Sequence, residues 1–285
     1  MPSSLTWNGY GKAAIRLVKV VRSGPRHELS DLTVDIQLQG NFSSTHETGD
    51  NSAVLPTDTM KNTVYALAKT ADVDPPESFG LVLGRHFLGA CPAAKRAVVH
   101  LELHRWDRLA PAGMPHDHAF QRGPAARRIA VVSVEREAES VSAGLEDLAL
   151  LKTTGSGFEG FLRDGYTTLQ DTDDRIFATE VSARWRYDTT PADWTRAWTS
   201  IREALVAVFA QTYSRSVQQT LYAMGTEALA ACPEIAEIRL ALPNQHHLLV
   251  DLSPFGLTNA NEIFIATREP HGRIEGVVAR GERWA

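Results

Sequence analysis

Ala90-Cys91-Pro92 runs into the alternating segment Ala97-Val98-Val99-His100-Leu101-Glu102-Leu103, and this arrangement has a counterpart further along the chain. Ala231-Cys232-Pro233 is followed by Ile238-Arg239-Leu240-Ala241-Leu242, and the two cysteines are 141 residues apart. In each copy a run of small residues ends at a Cys-Pro stop, because proline cannot continue a helix. An apolar strand then follows. Two copies at one offset indicate an internal repeat.

The elements around the first copy read in order. Residues 12–23 form a strand, and 29–40 a clearer one, with Leu32, Val34, Ile36 and Leu38 on one face and Thr33, Asp35, Gln37 and Gln39 on the other. Asn41 to Pro56 reads as polar loop. From Thr57 the apolar positions Met60, Val64, Leu67 and Ala68 follow a helical period. A second helix opens at Pro75-Pro76-Glu77 and presents Phe79, Val82, Leu83 and Phe87. Strands near 95–107 and 127–137 complete the set. The second copy places strands near 141–153 and 175–188, helices near 193–211 and 216–231, and strands near 235–242 and 247–253. A last strand fits 273–280.

This is an α+β chain of two tandem ββααββ units, 1–138 and 139–285. Each unit is an antiparallel sheet with two helices on one face. The bulky strand residues Trp106, Trp185 and Tyr187 favour burial of the other face against another copy, giving a barrel-like oligomer.

The bulk properties exclude several classes. The chain has 285 residues, is 43% hydrophobic and 22% charged, and carries a net charge of −5. With a pI of about 6.1, it lacks the basic footprint of a nucleic-acid binder. No apolar run approaches the ~18 residues that a membrane span needs. Met1-Pro2-Ser3-Ser4 does not open a signal peptide. Two cysteines make no disulfide framework, so a reducing, cytoplasmic setting is expected.

Several short strings carry candidate chemistry. Lys12 follows Tyr10-Gly11 and is either a solvated surface lysine or a desolvated general base. Thr57 and Asp58 are either an ordinary helix cap or polar groups presented at a helix N-terminus. Val217 and Gln218 follow Ser216, an N-cap candidate, where a free N–H and an amide can read a planar ligand. Arg175 is a strand-surface arginine or a bidentate clamp on a carbonyl or anionic edge. Phe161 is core or a stacking ring. His246 is structural or a proton shuttle, with His247 pointing to the opposite face. His116-Asp117-His118 has no familiar zinc spacing around it, and no metal is expected. The pattern assigns no role to His86, His100 or His104; His100 and His104 share a strand face, where they can hydrogen-bond within an interface.

Nine strings in one order resemble the urate oxidase family, the cofactor-less uricases. They are Tyr10-Gly11-Lys12; Thr57-Asp58 with Lys61-Asn62-Thr63; His104-Arg105-Trp106; Pro115-His116-Asp117-His118; Gly160-Phe161-Leu162-Arg163-Asp164; Tyr166-Thr167-Thr168-Leu169; Asp174-Arg175-Ile176; Ser216-Val217-Gln218; and Leu242-Pro243-Asn244-Gln245-His246. Together they span most of the chain.

The resemblance implies the tunnelling fold, with four chains around a tunnel and active sites at subunit interfaces. It implies oxidation of urate by dioxygen and water to 5-hydroxyisourate and hydrogen peroxide, without a cofactor. Lys12, Thr57 and His246 match the proton relay. Arg175 and Gln218 match the pair that grips the purine edges, with the Val217 N–H beside them. Phe161 matches the stacking ring, Asn244 the group that holds dioxygen or water over it, and Asp58 a backbone contact from the neighbouring chain. The chain ends Glu282-Arg283-Trp284-Ala285 rather than in the peroxisomal signal of many eukaryotic members, which implies a bacterial-type cytoplasmic enzyme. The rivals are another tunnelling-fold purine or pterin enzyme, which would grip its ring with a glutamate, and an inactive purine-binding oligomer.

Overall fold

The computed structural model describes residues 3–123 and 126–281. The first elements are β1 (Gly9–Val21), β2 (Glu28–Gly40), α1 (Ser43–Glu47), α2 (Thr57–Thr70), α3 (Pro76–Ala90), β3 (Ala94–His104), β4 (Trp106–Arg108), β5 (Phe120–Arg122) and β6 (Arg127–Glu135). They are followed by β7 (Glu139–Lys152), β8 (Phe177–Tyr187), α4 (Trp194–Gln211), α5 (Val217–Ala231), β9 (Ile235–Ala241), β10 (His247–Leu249), β11 (Phe264–Ala266) and β12 (Glu275–Ala279). The chain divides into two compact units. One runs to Gly144 and takes in Ala192–Thr195; the other holds Leu145–Pro191 and the residues from Arg196 on.

In the first unit the strands lie in the order β1-β2-β3-β6, antiparallel throughout. The period-2 pattern read in β2 is the cause: Leu32, Val34, Ile36 and Leu38 are all buried. They meet Met60, Val64 and Ala68 of α2 and Phe79, Leu83 and Phe87 of α3 in one core. Burial of each such large side chain contributes roughly 1.5–3 kcal/mol.

In the second unit the order is β7-β8-β9-β12, with β9 antiparallel to both β8 and β12. Here α5 packs on β9 and β12. The repeat holds at the level of single hydrogen bonds. The Cys91 N–H closes α3 on Phe87 O at 3.1 Å, and the Cys232 N–H closes α5 on Ala228 O at 3.2 Å. Then the Ala94 N–H reaches Cys91 O at 2.9 Å and the Ile235 N–H reaches Cys232 O at 3.3 Å.

Four expectations need correction. The loop 41–56 contains the short helix α1. The strand near 95–107 breaks at Arg105, and β4 leaves to pair with β5. The fourth strand of the second unit is β12; the segment near 247–253 forms only β10, which pairs with β11 in a separate ribbon. Trp185 and Tyr187 are buried within this single chain, on the same β8 face as Phe177 and Val181. Their bulk is buried without a second copy and does not argue for one.

Candidate active site

Lys12 lies on β1 where the ladder breaks register, between the pairs Lys12–Ile36 and Ile15–Val34. The bulge puts Ala14 at φ +56°, and the Asp35 carboxylate fixes it by accepting the Ala14 N–H at 2.6 Å. Bulges of this kind re-aim side chains next to them. Asp35 was legible in the sequence only as one polar residue of an alternating strand.

Thr57 is the first residue of α2, and the N-cap is Pro56, with no side-chain capping bond. The ordinary cap reading of Thr57 therefore fails. Its hydroxyl makes no hydrogen bond among the described residues. Asp58 is held well below the usual carboxylate range, first by the hydrogen bond from Lys61 and then by that ammonium's charge; Asn62 and the Lys12 charge add to it. Lys61 Nζ stands 2.6 Å from Asp58 Oδ1. Lys12, Thr57 and Asp58 thus share one corner of the first unit, where α2 is tied to β1.

The second unit assembles its candidates through backbone ladders. The Gly157 N–H donates to Ser214 O at 2.8 Å, and the Ser214 N–H returns to Gly155 O at 2.9 Å. The Arg175 N–H donates to Ser156 O at 2.7 Å, and the Gln245 N–H to Ala178 O at 3.0 Å. These bonds gather the segments bearing Phe158, Arg175, Val217 and Gln218, and Asn244 and His246. Gly157 permits the approach, since a Cβ there would lie 2.4 Å from Tyr213 Oη and 2.9 Å from Thr172 O. Ser216 is the N-cap of α5, as the sequence indicated, and its Oγ accepts the Gln219 N–H at 3.1 Å. Val217 is buried and Gln218 exposed in the first turn. Asn244 is held by its N–H on Gly272 O at 2.8 Å, and His246 O accepts the Thr267 N–H at 2.9 Å.

Arg175 is the unusual charge. It is partly buried, and burial alone pulls its pKa below the usual arginine value. Among the described residues it has no carboxylate partner. Its guanidinium lies 5.3 Å from the ring centre of Phe158. Phe161 sits one layer away, stacked on Phe158 at 4.9 Å with the planes 8° apart, and the Arg163 guanidinium lies 4.6 Å from its centre. Phe158, not among the sequence candidates, is therefore the ring beside Arg175, while Phe161 is covered by its own neighbours. The spacing Phe158-Glu159-Gly160-Phe161 offered both rings and no means of choosing.

The histidines of the His116-Asp117-His118 string lie close to one another. His116 and His118 have ring centres 4.6 Å apart, with His27 at 5.7 Å from His118. Among the described residues no group of three or more His, Cys, Asp or Glu side chains is placed to hold a metal. Among the described residues, no helix is long and apolar enough to cross a membrane.

A sequence model of the family described as uricase matches residues 8–133 and 141–275. A uricase from Arthrobacter globiformis is 47% identical over 273 residues, 96% of this chain and 89% of its own length. One from Danio rerio is 40% identical over 287 residues, covering 96% of this chain and 94% of the relative. The crystal structure of the Arthrobacter globiformis uricase superposes with a TM-score of 0.94 at 45% identity, over 100% of this chain and 98% of that one.

Proposed function

The chain belongs to the uricase family, and from that premise we propose that it oxidises urate with dioxygen and water to 5-hydroxyisourate and hydrogen peroxide. The observation that carries the assignment to particular residues is Arg175. A partly buried guanidinium without a counter-charge, laid beside an aromatic ring, suits a planar anion. Arg175 and Gln218 grip the purine edges, the Val217 N–H adds a donor, and Phe158 supplies the stacking face. Asn244 holds dioxygen or water above the ring. Thr57, Lys12 and His246 relay the proton taken from urate, and the Asp58 backbone completes the contact. Doubly deprotonated urate is electron-rich enough to reduce dioxygen directly. Binding the anion, removing a proton and holding dioxygen at the ring face then suffice, and neither a metal nor an organic cofactor is required.

The working form is a homotetramer in which Lys12, Thr57 and Asp58 of one chain serve the urate held by a neighbour. Support comes from the family and from the division of residues, three in the first unit and the rest in the second. The free, buried Cys91 and Cys232 suit the reducing cytoplasm.

The test is the loss of urate's ultraviolet absorbance in air after exhaustive dialysis against chelator, with metal analysis of the same sample. Stoichiometric hydrogen peroxide should accompany the loss. Activity that tracks a bound metal would overturn the cofactor-free reading, and no urate consumption would overturn the assignment.

A further inference from the structure

The geometry points to Tyr10 as a positioning residue that ties Lys12 and Thr57 of one chain into a single preformed unit. Tyr10 and Lys12 are two apart on β1, paired with Leu38 and Ile36, so their side chains leave the same face. The Tyr10 ring stands edge-on to buried Phe42, with centres 4.8 Å apart. Its hydroxyl accepts the Leu55 N–H at 2.7 Å. Leu55 is two residues before Thr57, and Pro56 between them has a fixed φ. The bond therefore sets the path by which the chain enters α2.

A second link acts at the same place. The Tyr10 hydroxyl lies 4.0 Å from Cys91 Sγ, and the thiol donates to Ala53 O at 3.6 Å. Residues 53 and 55 are thus both anchored beside the phenol. Burial pushes the Tyr10 pKa up to about 12, so the group stays a neutral hydroxyl throughout any working pH range.

The other ties between β1 and α2 lie further along the helix. The Tyr65 hydroxyl donates to Arg16 O at 3.2 Å, and Lys19 Nζ to Ala71 O at 2.7 Å. Among the described residues, Tyr10 is the β1 side chain that hydrogen-bonds at the end carrying Thr57. Pro56 gives no side-chain cap there. Removal of the hydroxyl frees the helix start relative to β1 and lets the threonine drift from the lysine. This inference rests on the relay assigned above to Lys12 and Thr57.

Tyr10→Phe keeps the ring against Phe42 and deletes only the hydroxyl. Turnover should fall on the order of ten- to a hundredfold, the loss that a misplaced catalytic group brings. The KM for urate should change far less than turnover, because Arg175, Gln218 and Phe158 are untouched and only the Asp58 backbone contact lies on the freed helix start. In a Thr57→Ala background the same change should lower turnover no further, since Tyr10 acts through Thr57. Mere loss of stability would instead lower both backgrounds alike. Independently of any variant, the Leu55 amide of the wild-type protein should exchange with deuterium far more slowly than the exposed amides of Gly49 and Asn51. Full turnover in Tyr10→Phe, an additive cycle, or a Leu55 amide that exchanges at loop rate would each overturn the proposal. Lys12→Ala and Thr57→Ala, measured alongside, separate the two levels: if both keep wild-type turnover, the relay reading itself fails and Tyr10 has nothing to position.

Discussion

Arg175 bears a desolvation cost that no described protein carboxylate offsets, and a bound anion would offset it. Truncation to Ala should therefore raise the KM for urate by at least an order of magnitude, with a smaller effect on turnover. The same argument separates the two phenylalanines. Phe158 meets the guanidinium, whereas Phe161 is covered by Phe158 and Arg163. Phe158→Ala should raise KM by roughly tenfold, in line with one lost stacking partner. Phe161→Ala should act more weakly, through the layer behind. Steady-state kinetics on the two variants decide it, and the reverse ranking would return the stacking role to Phe161. Motif order nominates Arg175, Val217, Gln218, Asn244 and His246 from the sequence alone. It could not rank two aromatic residues three apart, because the choice depends on which one the Ser156–Arg175 and Gly157–Ser214 bonds bring to the guanidinium.

The helices α3 and α5 are the elements on which the repeat is most visible. Each has 15 residues and stops at Cys-Pro. They also share a glycine seven residues before the cysteine, Gly84 and Gly225. At Gly84 a Cβ would stand 2.6 Å from Val134 Cγ2; at Gly225 it would stand 2.5 Å from Val278 Cγ2 and 2.8 Å from Val278 Cβ. Alanine gains up to about 1 kcal/mol of helix propensity at either site. Overpacking costs about 1–3 kcal/mol against this. At Gly84 only one methyl group is too close and Val134 Cβ lies back at 3.3 Å, so Gly84→Ala should lose less than the same change at Gly225. At Gly225 the Cβ of Val278 is itself in the way, so Gly225→Ala should lose about 1–2 kcal/mol by these magnitudes. Urea denaturation of the two variants checks the order, and equal stability would mean that α5 does not rest on β12 so closely. The punctuation of these helices was plain in the sequence. The fourth strand of the second unit was not, because Leu248 and Leu249 suggest a buried strand yet are exposed in the ribbon β10–β11, while β12 carries only the short, weak pattern Glu275-Gly276-Val277-Val278-Ala279.

At the scale of the molecule, the repeat sets equivalent positions of the two units side by side. The offset that relates Cys91 to Cys232 relates Glu77 to Gln218, each the second residue of its helix. Gln218 is exposed, whereas Glu77 is fully buried against Arg128, with Glu77 Oε2 2.8 Å from Arg128 Nη2. The helix start to which we assign a ligand contact in the second unit is thus occupied by an internal ion pair in the first. What the first unit offers instead is the corner with Lys12, Thr57 and Asp58. If the two kinds of half-site meet across a subunit boundary, damage to one kind in one chain can be made good by another chain. Thr57→Ala and Arg175→Ala should each be nearly inactive as pure oligomers. On the proposed tetramer, co-expression should give mixed assemblies in which some interfaces pair an intact Arg175 from one chain with an intact Thr57 from the other. Those interfaces should turn over urate at the wild-type rate per intact site, so the mixture should regain a measurable fraction of activity. Native mass spectrometry establishes that mixed tetramers are present. If they are, and activity stays at the level of the single variants, the site does not draw on two chains.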